Sequence, residues 1–62
     1  MLQGIVKFYQ QDKGYGFITD ESGKEIFVHA TGLSEEIKKG DEVTFELKEG
    51  KKGKEANNVR LS

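Results

Sequence analysis

Several residue types and patterns are missing from this 62-residue sequence. It has no cysteine, which excludes disulfides and thiolate metal sites, and it has a single histidine. No apolar run approaches the roughly 20 residues of a membrane-spanning helix, and the N terminus has no signal-peptide pattern. We therefore expect one soluble, cytoplasmic domain over residues 1–62, monomeric, with no cofactor, no metal and no membrane contact.

Net charge is also small. The formal charge is −1, so bulk charge cannot hold a polyanion, although basic residues outnumber acidic ones in residues 48–62. Charged and hydrophobic residues each make up 34% of the chain, and there is no proline. Six aromatic residues stand in this polar background, and most of them cluster. Such a cluster argues against a disordered chain.

Short β-type runs alternate with turn signals along the whole chain. The pattern predicts five strands, over residues 3–9, 15–19, 25–29, 42–48 and 55–61. Turns are expected at residues 20–23 and 49–53, and one helical turn at residues 34–39 with Ser34 as its N-cap. Five short strands avoid exposed edges by closing into a barrel. We predict an all-β fold, a five-stranded antiparallel oligonucleotide-binding (OB) barrel.

Strand parity divides the second and third strands into two faces, because alternate side chains point to opposite sides. One face is aliphatic and consists of Ile18, Ile26 and Val28. The other face gathers Tyr15, Phe17, Phe27 and His29. A small barrel has one interior, which the aliphatic set would fill together with Val6, Val43 and Leu47. The aromatic face would then meet water.

Exposed rings on a sheet suit unpaired nucleobases, because every base has a face that can stack on an aromatic side chain. Phe8 and Tyr9 of the first strand would extend the surface, and Lys7 and Lys13 would meet phosphates. A meander of the first three strands would place Phe17 between Phe8 and Phe27. The opposite arrangement, with the rings inside and the aliphatic residues outside, is the competing interpretation.

At these residues the sequence resembles the bacterial cold-shock proteins, over essentially its whole length. Residues 13–18 (KGYGFI) are similar to the first ribonucleoprotein motif of that family, and residues 26–29 (IFVH) to the second. Residues 4–9 (GIVKFY) and 55–59 (EANNV) are similar to its opening and closing strands.

The resemblance implies an OB barrel that binds single-stranded RNA and DNA, often pyrimidine-rich, with RNA-chaperone and gene-regulating roles. The implied stacking residues are Phe8, Tyr15, Phe17, Phe27 and His29, with Lys7 and Lys13 as backbone contacts and Tyr9 and Gln10 as neighbours.

The chain departs from the family pattern in three places. Phe8 stands where the family usually has Trp, Ala30 stands where it usually has Phe, and the loop over residues 31–40 is shorter and lacks an aromatic residue. We therefore expect weaker binding and a shorter site.

Three other interpretations compete with this one. An enzyme is disfavoured because His29 has no evident partner that would orient it for catalysis. An RNA-recognition motif would need two amphipathic helices, and no window has their periodicity. A protein-binding adapter that uses the same rings stays open, because OB barrels serve both uses.

Overall fold

A computed structural model describes residues 2–50 and 53–62 of the chain. Its elements are β1 (Leu2–Gln10), β2 (Tyr15–Asp20), β3 (Glu25–His29), a short 3-10 turn (Ala30–Gly32), β4 (Glu42–Gly50) and β5 (Gly53–Leu61). The five predicted strands are confirmed, each within two residues at either end. Lys51 and Lys52 of the predicted turn at 49–53 lie outside the described residues. In the described part of the chain, no helix is long and apolar enough to cross a membrane.

The strands form a closed barrel in the order β1-β2-β3-β5-β4, as predicted for an OB fold. One detail differs from the expected antiparallel pattern: β3 and β5 run parallel, with Phe27 opposite Glu55 and Val28 opposite Ala56. The chain between β3 and β4 crosses one end of the barrel. After that crossing, the β4–β5 hairpin brings β5 back alongside β3 in the same direction.

The barrel interior is aliphatic apart from one ring. Its buried residues are Val6, Ile18, Ile26, Ile37, Val28, Val43, Phe45, Ala56 and Val59. Five of the six residues predicted for the core are therefore buried, and no buried side-chain polar atom in the described chain lacks a hydrogen-bond partner. Branched aliphatic residues fill such a space without introducing polar groups that need partners.

The prediction that Leu47, the sixth of these residues, lies in the core is wrong. It shares the parity of Val43 and Phe45 but remains 40% exposed. The pairing of β4 with β1 runs only from Glu42 to Phe45, so Leu47 lies in a part of β4 that has β5 alone as its neighbour. No strand closes over its side chain there.

A β-bulge in β1 sets which aromatic residues face outward. Val6 pairs with Ile18 and Phe8 pairs with Phe17, so Lys7 is the extra residue between two registered pairs. Without the bulge, Val6 and Phe8 would share a face. With it, Val6 points into the core and Phe8 points out, while Tyr9 turns back and packs against the core.

The predicted helical turn at residues 34–39 is absent. The backbone N–H of Ser34 donates instead to the Val59 carbonyl (2.8 Å), and Glu35 accepts from the N–H of Leu61 (3.0 Å). These bonds to β5 replace the bonds that a helix would make within itself. They also hold Ile37 in the end of the barrel, where it is only 2% exposed.

The β2–β3 turn is organised by one carboxylate. Asp20 accepts from the Ser22 hydroxyl (2.7 Å) and from the backbone N–H groups of Ser22 and Lys24 (2.9 Å each). The Ser22 hydroxyl, followed by these N–H groups, lowers the pKa of Asp20, because the bonds favour the charged form. Gly23 completes the turn at φ 89°, a conformation that glycine adopts without strain.

Candidate functional site

Four aromatic rings form one continuous cluster on the outer face of β1, β2 and β3. Phe17 lies between Phe8 (centroids 5.5 Å apart) and Phe27 (5.8 Å), as the predicted meander required. Tyr15 stacks on Phe27 at 6.1 Å and meets Phe8 edge-on at 6.5 Å. All four rings are half-buried, whereas Ile18, Ile26 and Val28 point the other way into the core. The alternative with the rings inside is therefore wrong. We call these four residues the ring cluster.

Tight contact between β1 and β2 supports the ring cluster from below. A side chain at Gly16 would overlap the carbonyl oxygen of Phe8 and the backbone of Tyr9. Glycine at this position therefore lets the two strands that carry Phe8 and Phe17 lie close together. The backbone that approaches Gly16 so closely is that of β1.

Tyr9 does not belong to the ring cluster. The bulge turns it to the core side, where its ring lies against the position of Gly16. A direct contact of Tyr9 with a ligand stays a prediction, and this geometry does not favour it. Gln10 has a structural use, since its carbonyl accepts from the N–H groups of Lys13 (3.2 Å) and Gly14 (2.7 Å).

His29 ends β3 opposite Tyr15 and is exposed. It caps the following 3-10 turn, because the N–H of Thr31 donates to its Nδ1 atom at 3.2 Å. A ring nitrogen that accepts a hydrogen bond carries no proton, so the proton of the neutral ring is on Nε2. In this tautomer Nε2–H is a donor on the residue that lies opposite Tyr15.

The two lysines predicted to meet phosphates lie at the margins of the ring cluster. Lys13 is exposed in the β1–β2 turn. Lys7, the bulge residue, forms an ion pair with Glu25, and both side chains are about half exposed. Lys7 is therefore partly neutralised before any ligand arrives, a feature that strand patterns do not reveal.

The parallel pairing of β3 and β5 adds neighbours that the sequence analysis missed. Glu55 lies beside Phe27, and Lys48 lies beside Glu55 on β4. An outward row therefore runs across the sheet through Phe8, Phe17, Phe27, Glu55 and Lys48. No local pattern marks this neighbourhood, because residues 27 and 55 meet only once the barrel closes.

The surface is a platform rather than a cleft. One depression in the described surface is lined by residues such as Ile5, Thr19 and Glu42, and none of the ring cluster borders it. Within residues 2–50 and 53–62, no three side chains of the metal-ligating types come together. The arrangement can stack flat ligands and hydrogen-bond their edges.

Comparison with known proteins identifies relatives over nearly the full length. Residues 2–62 match the family model described as the 'cold-shock' DNA-binding domain. The chain is 42% identical to a cold shock-like protein of Thermotoga maritima, covering 97% of each chain. It is 43% identical to the cold shock protein CspB of Bacillus caldolyticus and 41% identical to the cold shock protein CspD of Bacillus subtilis, covering 95% of this chain and 96% of each relative.

Proposed function

Because the chain belongs to the 'cold-shock' DNA-binding domain family, a nucleic-acid-binding family rather than an enzyme family, we propose that it binds single-stranded RNA and DNA by stacking bases on the ring cluster. In this proposal it acts as a cytoplasmic monomer, prefers pyrimidine-rich strands, and serves as an RNA chaperone and regulator of gene expression.

The observation that carries the proposal is the outward position of the ring cluster. Four rings share one solvent-facing surface while the aliphatic residues of the same strands are buried. Each base stacked on such a ring is worth about 1–3 kcal/mol. A duplex hides the faces of its bases, so the platform selects unpaired strands.

His29 and the lysines complete the proposed interface. The Nε2–H donor of His29 would meet an acceptor on a base edge or a phosphate. Lys13 would contact the backbone, and Lys7 would do so by exchanging Glu25 for a phosphate. Few cations take part, so stacking rather than charge supplies most of the affinity.

The site is expected to be short. Ala30 is exposed beside Gly14, and no aromatic side chain lies in the segment from residue 30 to residue 41. For each aromatic ring that this segment lacks, the stacking free energy is about 1–3 kcal/mol smaller than in a family member that has the ring. We therefore propose weaker binding than in a relative with those rings.

Titration with a fluorescent hexathymidine tests the proposal. The control is a DNA hairpin whose paired stem has the same length as the hexamer. We expect saturable binding to the single strand, little binding to the duplex, and a Kd that rises gently with salt because few phosphates are neutralised. Equal affinity for both would contradict stacking on unpaired bases. Absence of binding to either would favour the protein-adapter alternative.

A further inference from the structure

Glu55 and its cross-strand neighbour Lys48 are the residues of the outward row that stacking does not explain, and Glu55 is the one next to a ring. It lies on β5 beside Phe27, on the face that carries the ring cluster. Its carboxylate leans along that face towards Gly50, where a side chain would overlap it. Gly50 lies on β4, on the opposite side of β5 from Phe27, so the carboxylate reaches a base on Phe27 by turning back across β5. The placement follows from the parallel pairing of β3 with β5 and from the registered pairing of β5 with β4.

Glu55 differs from the other carboxylate near Phe27. Glu25 precedes Phe27 by two residues, on the same face of β3, and it is engaged by Lys7. In the part of the chain that the structure describes, no side chain donates a hydrogen bond to Glu55. An ionised carboxylate is acceptor-only, and its two oxygens can take two parallel donors.

The bases differ in what they offer to such a group. Guanine presents two adjacent donors, N1–H and the 2-amino group, on the edge that is open in a single strand. Thymine and uracil present one N–H between two carbonyl oxygens, which a carboxylate repels. Cytosine and adenine present one amino group beside an acceptor nitrogen. Guanine is therefore the base whose open edge matches a carboxylate on both oxygens.

We propose that Glu55 makes the platform select guanine at the position stacked on Phe27, within an otherwise pyrimidine-rich strand. Both guanine donors would bond to the Glu55 carboxylate while the base lies on the Phe27 ring. This inference rests on the proposed function and adds a specificity-determining residue to it. The residue acts on the edge of the base, whereas the ring cluster acts on its face.

The test uses hexathymidine in which guanine, or inosine, replaces thymine at each position in turn. Inosine lacks the 2-amino group but stacks like guanine, so the guanine-to-inosine ratio of Kd values isolates the edge contact. At one position, we expect guanine to bind about 10- to 150-fold tighter than inosine, the scale of a hydrogen bond to a charged group. In Glu55→Gln the ratio at that position should fall to within about twofold.

Glu49→Gln is the matched control. Glu49 lies in the same hairpin, opposite Lys54, on the alternate parity from Lys48 and Glu55. Both variants remove one negative charge, so both should tighten binding of every hexamer through weaker phosphate repulsion. Only Glu55→Gln should lose the guanine-to-inosine ratio, and circular dichroism should show the same fold in both.

The outcomes separate the inference from the proposed function. A ratio near one at every position in the unmodified protein, or an unchanged ratio in Glu55→Gln, would overturn the guanine inference while hexathymidine binding persists. Loss of the ratio in Glu49→Gln as well would assign it to general charge and would also overturn the inference. Failure of every hexamer to bind would overturn the proposed function together with it.

Discussion

The opposite orientations of Phe17 and Ile18 give the most direct test of the interface. These residues are adjacent on β2, and they face opposite sides of the sheet. Ile18 is fully buried, so Ile18→Ala should lower the free energy of unfolding by about 2–5 kcal/mol. With a urea m-value of about 1–3 kcal/mol/M, the unfolding midpoint should move by about 0.7–5 M. Folded Ile18→Ala protein should still bind hexathymidine.

Phe17→Ala should behave the other way. The ring is half-buried and loses its two contacts, with Phe8 and with Phe27, which costs about 1–3 kcal/mol of stability on the scale of ring–ring interactions. The loss of one stacked base costs about 1–3 kcal/mol of binding. That cost corresponds to a Kd roughly 5- to 150-fold higher.

Two measurements decide between these outcomes. One is urea unfolding followed by circular dichroism, and the other is the Kd for fluorescent hexathymidine, measured by anisotropy without urea. Each variant is the control for the other, since the changes are one residue apart. A stability loss larger in Phe17→Ala than in Ile18→Ala, or unchanged hexathymidine affinity in Phe17→Ala, would refute the assignment of the two faces.

Three further predictions concern residues around the platform. Ile37→Ala should destabilise the fold by about 2–5 kcal/mol in urea unfolding and leave hexathymidine affinity unchanged, whereas Glu36→Ala next to it should change neither stability nor affinity. Equal stability of the two variants would mean that Ile37 does not seal the barrel. Because the pKa of Asp20 is lowered in the fold, its stabilisation is complete above the unfolded value of about 4 and is lost as pH falls through the folded pKa. Asp20→Ala should therefore lose less stability than the unmodified protein below about pH 4 in acid-unfolding curves, and parallel curves would contradict this. Glu25→Gln should release Lys7, tighten hexathymidine binding and steepen its salt dependence by up to about 0.7 in the slope of log K against log salt, while an unchanged slope would show that Lys7 meets no phosphate.

Local patterns were sufficient for the strands and for most of the core. Alternation along residues 25–29 places Ile26 and Val28 inside and Phe27 outside, and the structure agrees. Alternation assigns residues to faces only where the two-residue period is unbroken. It fails at Lys7, where an extra residue reverses the parity of Phe8 and Tyr9, and nothing in the sequence of β1 marks that bulge.

Features that depend on closure of the barrel were out of reach of the sequence. Ile37 is buried because the segment over residues 30–41 bonds to β5, and Leu47 is exposed because β1 ends its pairing early. The neighbourhood of Glu55 and Phe27 has the same origin. Each depends on contacts between distant residues, whose partners a single sequence does not identify.

Closure of the sheet has a consequence for how recognition can change over evolutionary time. Every strand has a hydrogen-bonded neighbour on each side over at least part of its length in the order β1-β2-β3-β5-β4, so the closed sheet leaves little free edge for a guest chain to join through main-chain amides. Ligands are then bound mainly by the outward side chains of the barrel. These side chains are not the ones that pack the core. Individual side chains on the outer face, such as Phe8 and Ala30, can therefore be made larger or smaller one at a time, which changes the affinity for a ligand without unfolding the barrel.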